Sequence, residues 1–244
     1  MSRYKLRANY DIENIDSQKM DGTVIVDVPM LSNGELNYGL SHIKKKLYEE
    51  NVYPSEIGFD IMSLATMVYM ADTRIERVVH GQDSWTREIE LEIPVSNVEI
   101  WDSQIRTVER MLKFLTGDLW KITLSSRAWQ FNNLEEVREK SNKYDEVSLF
   151  SGGMDSLIST INLMENKKNT LLISHAGEGL TKNAQKNIVN KFDLLYPDVL
   201  HTWLDLWMVF PRDYIPAGGN DNNTRSRSFL FIGYALFAMT GMDN

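Results

Sequence analysis

The second half of the chain alternates apolar segments of strand length with apolar segments of helix length. Strands are expected at 147–150, 170–174 and 199–206, and helices at 156–166, 181–196 and 225–240. Strands separated by helices of this length pair in parallel, with right-handed crossovers. The sequence therefore predicts an α/β fold with a parallel sheet. The apolar residues expected to face this sheet from its first helix are Leu157, Ile158, Ile161 and Met164.

The first half mixes strand and helix patterns, which predicts a separate α+β domain of residues 1–140. The expected elements are strands at 22–31, 84–95 and 119–126, a buried helix at 55–73, and an amphipathic helix at 105–115 that Asp102 caps. Residues 132–145 are polar and charged, which is typical of a solvated helix or linker. The second predicted domain, residues 141–244, stops where a fourth strand would begin, so we expect it to be incomplete.

Composition limits the classes of function. Hydrophobic residues make up 43% of the chain, which is enough for a proper core. A net charge of −8 argues against DNA binding. Cysteine is absent, which excludes disulfides, thiolate metal sites and a cysteine nucleophile from these 244 residues. No signal peptide or membrane-spanning run is recognisable, so a cytoplasmic protein without a membrane partner is expected.

The turn that follows the first strand of the second half has the sequence SGGMDS, from Ser151 to Ser156. The first amides of a helix are unpaired and carry partial positive charge, and glycines let a ligand approach the backbone. Two serine hydroxyls add donors, so the turn predicts a phosphate cradle. Asp155 suits a magnesium ion that accompanies the phosphates. The alternative is an ordinary strand–helix turn, in which the glycines only relieve steric crowding.

The turn resembles the SGGxDS loop of the N-type ATP pyrophosphatases, also called the PP-loop superfamily. It is not a Walker A loop, since the chain has no Gly-Lys pair. The resemblance implies an adenine nucleotide α-hydrolase-like fold. It also implies that the β- and γ-phosphates of ATP sit in the loop, so that a substrate attacks the α-phosphate and pyrophosphate leaves.

Two further resemblances indicate which family within this superfamily the chain is similar to. The segment RSFLFIGYALFA, residues 227–238, resembles the R-N-x-x-F-L segment of 7-cyano-7-deazaguanine synthases, the QueC family. WTREIELEIPV and FLTGDLWKITL resemble the QueC-like component of Qat anti-phage defence systems. The chain departs from the QueC pattern at Ser228, where the family has Asn, and at SHAGEG, where it has Tyr-Gly-Gln. Zinc is expected only if the natural protein continues beyond residue 244 with the family's cysteines.

These resemblances imply an ATP-dependent ligase. It would adenylate a small carboxylate of the 7-deazaguanine type and then form an amide with ammonia or with an amine of a partner protein encoded in a defence operon. Another PP-loop amidotransferase, a tRNA-modifying ligase, and a non-catalytic nucleotide-binding subunit of a defence complex remain alternatives. Pyrophosphate release by the wild type and by an Asp155→Ala variant would separate catalysis from scaffolding.

The expected cofactors are ATP and Mg²⁺. Asp155 is the expected metal ligand, and His175 either acts as a base or packs beside the nucleotide. The catalytic residues are expected to be Asp155, Ser156 and Arg227. The expected nucleotide-binding residues are Ser151, Gly152, Gly153, Met154, Asp155, Ser156, Ile173, His175 and Arg227.

Overall fold

The computed structural model describes residues 3–131, 143–175, 179–211, 215, 219–221, 223 and 225–242. The strands within these residues are β1 (Arg3–Asn9), β2 (Asp16–Met20), β3 (Thr23–Pro29), β4 (Leu31–Ser32), β5 (Glu35–Leu36), β6 (Glu88–Val95), β7 (Leu119–Ser126), β8 (Glu146–Leu149), β9 (Thr170–His175) and β10 (His201–Leu206). The helices are α1 (Leu40–Glu49), α2 (Glu56–Arg74), α3 (Arg77–His80), α4 (Val98–Asp102), α5 (Ile105–Thr116), α6 (Met154–Glu165), α7 (Gly179–Leu195) and α8 (Arg227–Met239).

The first half contains a five-stranded sheet in the order β2-β3-β1-β6-β7. The pairings β1–β3, β1–β6 and β6–β7 are parallel, and only β2–β3 is antiparallel. The sheet is therefore mostly parallel, which differs from the α+β arrangement expected for this half. The reason lies in the connections, because helices α1 to α3 separate β3 from β6 and helices α4 and α5 separate β6 from β7.

One face of this sheet forms the main core. In β6 the buried residues Ile89, Leu91 and Ile93 alternate with partly exposed glutamates. Helix α2 lies against the buried face and is buried along most of its length, as its apolar sequence predicted. Its N-terminus is capped by Ser55, whose hydroxyl oxygen accepts a hydrogen bond from the Gly58 amide at 3.2 Å.

The prediction that Asp102 caps the next long helix is wrong. Asn97 caps the short helix α4 by accepting from the Ile100 amide at 3.1 Å, and Asp102 is the last residue of that helix. Gln104 occupies the N-cap position of α5 without a side-chain capping bond. Asp102 belongs to helix α4 and is therefore not available to cap α5.

The second half forms a three-stranded sheet in the order β10-β9-β8, with both pairings parallel. This confirms the predicted parallel sheet and the α/β class. Leu172 of β9 packs in a cluster with Met164 of α6 and Phe192 of α7, whereas Leu171 and Ile173 belong to the main core. Because side chains alternate along a strand, helices therefore cover both faces of this sheet.

The prediction that Ile158 faces the sheet is wrong, since its side chain is 50% exposed. The fully buried Thr160 takes an inward position instead, and its hydroxyl bonds to the Ser156 carbonyl at 2.8 Å. A helix turns 100° per residue, so the neighbours Leu157 and Ile158 cannot both point at the sheet.

Helix α8 connects the two halves by packing against both α2 and the strands β8 and β9. The contact with α2 is close at Gly233, where an added Cβ atom would lie 2.7 Å from the Cβ atom of Ala65. Residues 132–142 lie outside the described residues, so the boundary between 1–140 and 141–244 stays a prediction. In the part of the chain that the structure describes, no helix combines the length and apolarity that crossing a bilayer requires.

A buried group of charged residues joins α2, α3 and the starts of β6 and β7. Arg87 is only 1% exposed, and its guanidinium donates to Asp118 at 2.6 Å and also to Asp72. Arg77 donates to the same Asp118 carboxylate at 2.7 Å and 2.9 Å. Burial alone would raise the pKa of Asp118, but the hydrogen bonds and charge of Arg87 lower it below its ordinary value.

Candidate functional site

The glycine turn connects β8 to α6 at the carboxyl edge of the three-stranded sheet. Gly152 has a φ of +82°, and a Cβ atom added there would lie 3.0 Å from Cγ of Gln185. Gln185, which is fully buried on α7, donates its Nε2 hydrogen to the Ser151 carbonyl at 3.0 Å. Both the backbone conformation and the close approach of Gln185 therefore require glycine at position 152.

The N-terminus of α6 offers free main-chain donors to solvent. Gly153 is the N-cap residue and makes no side-chain capping bond, and Leu157 is the first residue whose amide has a helical acceptor, the Gly153 carbonyl at 3.0 Å. Among the described residues, no acceptor bonds the amides of Met154, Asp155 or Ser156. Unpaired amides at an exposed helix N-terminus are suited to hold an anion.

Two hydroxyl groups lie beside these amides. The Oγ atoms of Ser151 and Ser156 are 3.1 Å apart, and the Ser156 hydroxyl donates to the Gly153 carbonyl at 2.9 Å. The Ser151 hydroxyl oxygen accepts from the Gly153 amide at 3.3 Å. The turn thus holds its own shape through its serines, while the amides of Met154, Asp155 and Ser156 stay unpaired among the described residues.

Asp155 is exposed in the first turn of α6, where a carboxylate is stabilised by the helix dipole. Within the described ranges, no group of three or more His, Cys, Asp or Glu residues could hold a metal by itself. A protein-bound Mg²⁺ commonly uses one or two carboxylates together with the phosphates of its substrate. A single carboxylate beside a phosphate-binding turn fits that kind of site.

Arg227 is brought to the end of the neighbouring strand β9. Its Nη2 atom donates to the His175 carbonyl at 3.1 Å, and its guanidinium lies 5.5 Å from the centre of the Phe231 ring. Its buried Nε atom has no partner among the described residues. The first residue of α8 therefore places a positive charge at the edge of the sheet where the glycine turn also lies.

The side chain of His175 is enclosed by aromatic rings. It is 4% exposed, stacks on Tyr234 at 5.9 Å between ring centres, and meets Tyr69 edge-on at 6.0 Å. Both ring nitrogens of His175 and the Tyr234 hydroxyl are buried without a partner in the described part of the chain. Buried polar atoms of this kind are normally matched by ordered water or by a ligand.

The protonation state of His175 follows from its surroundings. Burial, and then the charge of Arg227, lower its pKa to about 4. Its imidazole is therefore neutral near pH 7 and is a poor general base. This argues against the predicted base role of His175, and its packing beside the nucleotide stays a prediction.

We expect His175 to make the protein less stable as the pH falls from about 6.5 to about 4. The unfolded histidine, with a pKa of about 6.5, binds a proton in this range, whereas the folded one does not, so acid favours unfolding by up to about 3 kcal/mol. Urea unfolding at several pH values would measure this slope. His175→Phe keeps the ring stacking and should make the free energy of unfolding less dependent on pH. An unchanged slope in that variant would show that His175 is not its cause.

The predicted nucleotide-binding residue Ile173, and Arg225, which lies two residues before Arg227, make structural contacts instead. Ile173 is fully buried, and its carbonyl accepts from the Phe150 amide at 2.7 Å, so this carbonyl is not free to meet an adenine. Arg225 donates to the Thr116 carbonyl at 2.9 Å, and its guanidinium lies 4.4 Å from the Trp85 ring. Arg225 therefore points to the first half of the chain, unlike Arg227.

Gln185 was missed by sequence reasoning. A detectable signal existed, because Gln185 shares the inward face of α7 with the buried residues Val189 and Phe192. A polar residue on an apolar helix face usually has a buried partner. Its partner, the Ser151 carbonyl, could not be identified without the fold.

Comparisons with protein-family models, with curated proteins and with solved structures found no match to this chain. A functional proposal therefore depends on the geometry of the turn and on the sequence resemblance.

Proposed function

We propose that the chain is an ATP-dependent ligase of the PP-loop type, which binds ATP with Mg²⁺ at Ser151–Ser156 and activates a carboxylate as its adenylate. The observation that carries this proposal is the set of three amides at the start of α6 that have no acceptor among the described residues, next to a left-handed glycine. This arrangement supplies several donors to phosphate oxygens without requiring a basic side chain.

Each residue of the site would have its own role in binding or charge stabilisation. The amides of Met154 to Ser156 and the hydroxyls of Ser151 and Ser156 would hold the terminal phosphates of the nucleotide. Asp155 would hold Mg²⁺, which when bound neutralises phosphate charge and so assists the departure of pyrophosphate. Arg227 would stabilise negative charge from the end of β9. Positioning and charge stabilisation of this kind need no protein nucleophile.

The substrate assignment rests on the QueC-like and Qat-like resemblance. We propose a 7-deazaguanine-type carboxylate as the acid and either ammonia or an amine of a partner protein as the acceptor, in an anti-phage defence context.

A non-catalytic nucleotide-binding subunit is the second candidate. It is favoured by the low pKa of His175, because this histidine lies at the sheet edge of the turn and is not a suitable base near neutral pH. Product analysis separates the two candidates. The ligase is expected to convert ATP to AMP and pyrophosphate when it is given Mg²⁺ and a carboxylate substrate, and ADP with phosphate would contradict adenylation. Tight ATP binding without turnover across a panel of carboxylates and amines would favour the subunit.

Gly152→Ala is expected to weaken ATP binding about tenfold or more. An L-residue in the left-handed region costs roughly 1–2 kcal/mol, and the new Cβ atom would also crowd Gln185 at 3.0 Å. Isothermal titration calorimetry with Mg²⁺ and a non-hydrolysable ATP analogue would measure the change.

Gly22→Ala is the matched control for this variant. Gly22 has a similar φ of +77°, lies in the β2–β3 turn, and has no atom within 4 Å of an added Cβ. It should bear the same backbone strain and leave ATP binding unchanged. Equal affinity of the wild type and Gly152→Ala would remove the turn from the binding site.

A further inference from the structure

The five-stranded sheet leaves one face without a covering helix among the described residues. The side chains of this face stand in three rows across four strands, in the order β3, β1, β6, β7, and we name it the charged face. Its rows, read in that strand order, are Thr23, Arg3, Glu88, Leu119, then Ile25, Lys5, Glu90, Lys121, then Asp27, Arg7, Glu92, Thr123. Parallel sheets are almost always covered on both faces, so a partner surface is expected here.

Charge on this face is sorted by strand. The column on β1 is entirely basic, and the neighbouring column on β6 is entirely acidic. Ion pairs across the two strands hold the side chains in place, as in Lys5 with Glu92 at 2.9 Å and Lys5 with Glu90 at 3.3 Å. Arg3 and Lys121 pair with Glu88 and Glu90 in the same way, but both remain 70% exposed and can also contact a facing surface.

We propose that the charged face is the interface of a homodimer in which two copies pack face to face. A two-fold axis parallel to the strands, midway between β1 and β6, places the basic column of each copy over the acidic column of the other. The same rotation puts β3 over β7, where Asp27 meets Thr123 and Ile25 meets Lys121. No column then faces a column of like charge, so the face is complementary to itself.

A second copy fits this surface better than a partner of single charge. A nucleic acid or a uniformly charged protein would match one column and be repelled by the other. The face also has a depression of about 370 Å³ lined by Arg3, Glu88, Lys121 and their neighbours, which leaves space for long side chains of the opposing copy.

The area of the overlapping sheets determines how tightly the two copies are expected to bind each other. The four strands that overlap, about 4.8 Å apart and about seven residues long, cover roughly 440 Å² per copy, or about 900 Å² in total. That total is below the standard size of a specific interface and is typical of weak, transient contacts. The dimer should therefore be reversible and, because its pairs are ionic, weakened by salt.

Sedimentation velocity of the full chain tests the proposal. In low salt the protein is expected to shift from monomer to dimer as its concentration rises through the micromolar range, and high salt should return it to monomer. A monomer at every concentration in low salt would overturn the proposal, and so would a dimer that is insensitive to salt.

Charge reversal locates the interface. Lys5→Glu places a new carboxylate opposite Glu90 at two symmetric positions, and Glu90→Lys places a new ammonium group opposite Lys5 at the same two positions. Each variant alone should therefore dimerise about tenfold more weakly or worse. Their equimolar mixture should recover the wild-type affinity. In the mixed dimer the Lys5→Glu copy is acidic at positions 5 and 90, and the Glu90→Lys copy that faces it is basic at both.

Lys191→Glu on α7 is the control, since it reverses an exposed charge outside the charged face and should leave the dimer intact. Thermal unfolding of every variant would verify that each one is folded. Failure of the mixture to recover dimers, with both variants folded, would exclude this geometry. These outcomes do not depend on ATP binding.

Discussion

Asp155→Asn is expected to lower ATP-dependent pyrophosphate release about 10²–10³-fold, the range found when one charge-stabilising group is removed from an active site. The side chain keeps its shape but loses the negative charge that would hold Mg²⁺ beside the glycine turn. Because the amides of the turn are untouched, ATP binding without metal should change little. Release should also require a higher Mg²⁺ concentration in the variant than in the wild type.

Glu165→Gln is the matched control for that experiment. It removes one carboxylate from the last residue of the same helix, where Glu165 accepts a hydrogen bond from Tyr196 at 2.7 Å. The control should keep wild-type turnover. Wild-type turnover in Asp155→Asn would refute the metal role, and equal losses in both variants would indicate a general effect of helix charge.

Asp118→Ala is expected to lower the free energy of unfolding by about 3–5 kcal/mol, since it leaves buried cationic groups without their partner. Arg87 and Arg77 both donate to this carboxylate, and neither has access to bulk water that could replace it. Urea unfolding at neutral pH would measure the loss. Glu92→Ala, which removes a partly exposed carboxylate paired with Lys5, should cost only about 0–1 kcal/mol.

The contribution of Asp118 to the free energy of unfolding also depends on pH. Its pKa is lowered in the folded protein, so the stabilisation is present above the unfolded pKa of about 3.9 and is lost as the pH falls through the folded value. If Asp118→Ala does not yield folded protein, the same point can be tested with Asp118→Asn, which should weaken this acid dependence. A loss below about 1 kcal/mol at neutral pH would show that the group is not a buried ionic network.

The elements that sequence predicted best are those with a clear hydrophobic period. Strand β6 and helix α2 lie where the pattern placed them, and β7 matches its expected bounds at Leu119 and Ser126. Strand β1 was missed because its buried residues Tyr4 and Leu6 alternate with long basic side chains. The ionic partners of Arg3 and Lys5 come from β6, some 85 residues later, and a local pattern cannot reveal them.

Local sequence located the glycine turn because the end of the strand, the glycines and the start of the helix lie within a few consecutive residues. What it could not supply were contacts between distant segments, such as Gln185 against Gly152 or Tyr234 against His175. Ile173 was expected to bind the nucleotide because ligands gather where the strands of an open α/β sheet end. The register of β8 against β9 instead pairs the Ile173 carbonyl with the Phe150 amide.

Helix α8 has a mechanical consequence for any reaction at the sheet edge. It is a rod of 13 residues whose first residue, Arg227, contacts the end of β9, while Gly233 fits against Ala65 with no space for even one methyl group. One helix therefore carries both the contact with α2 and the contact with the end of β9. We expect a displacement of Arg227 during a reaction to alter the packing of α8 against α2 as well.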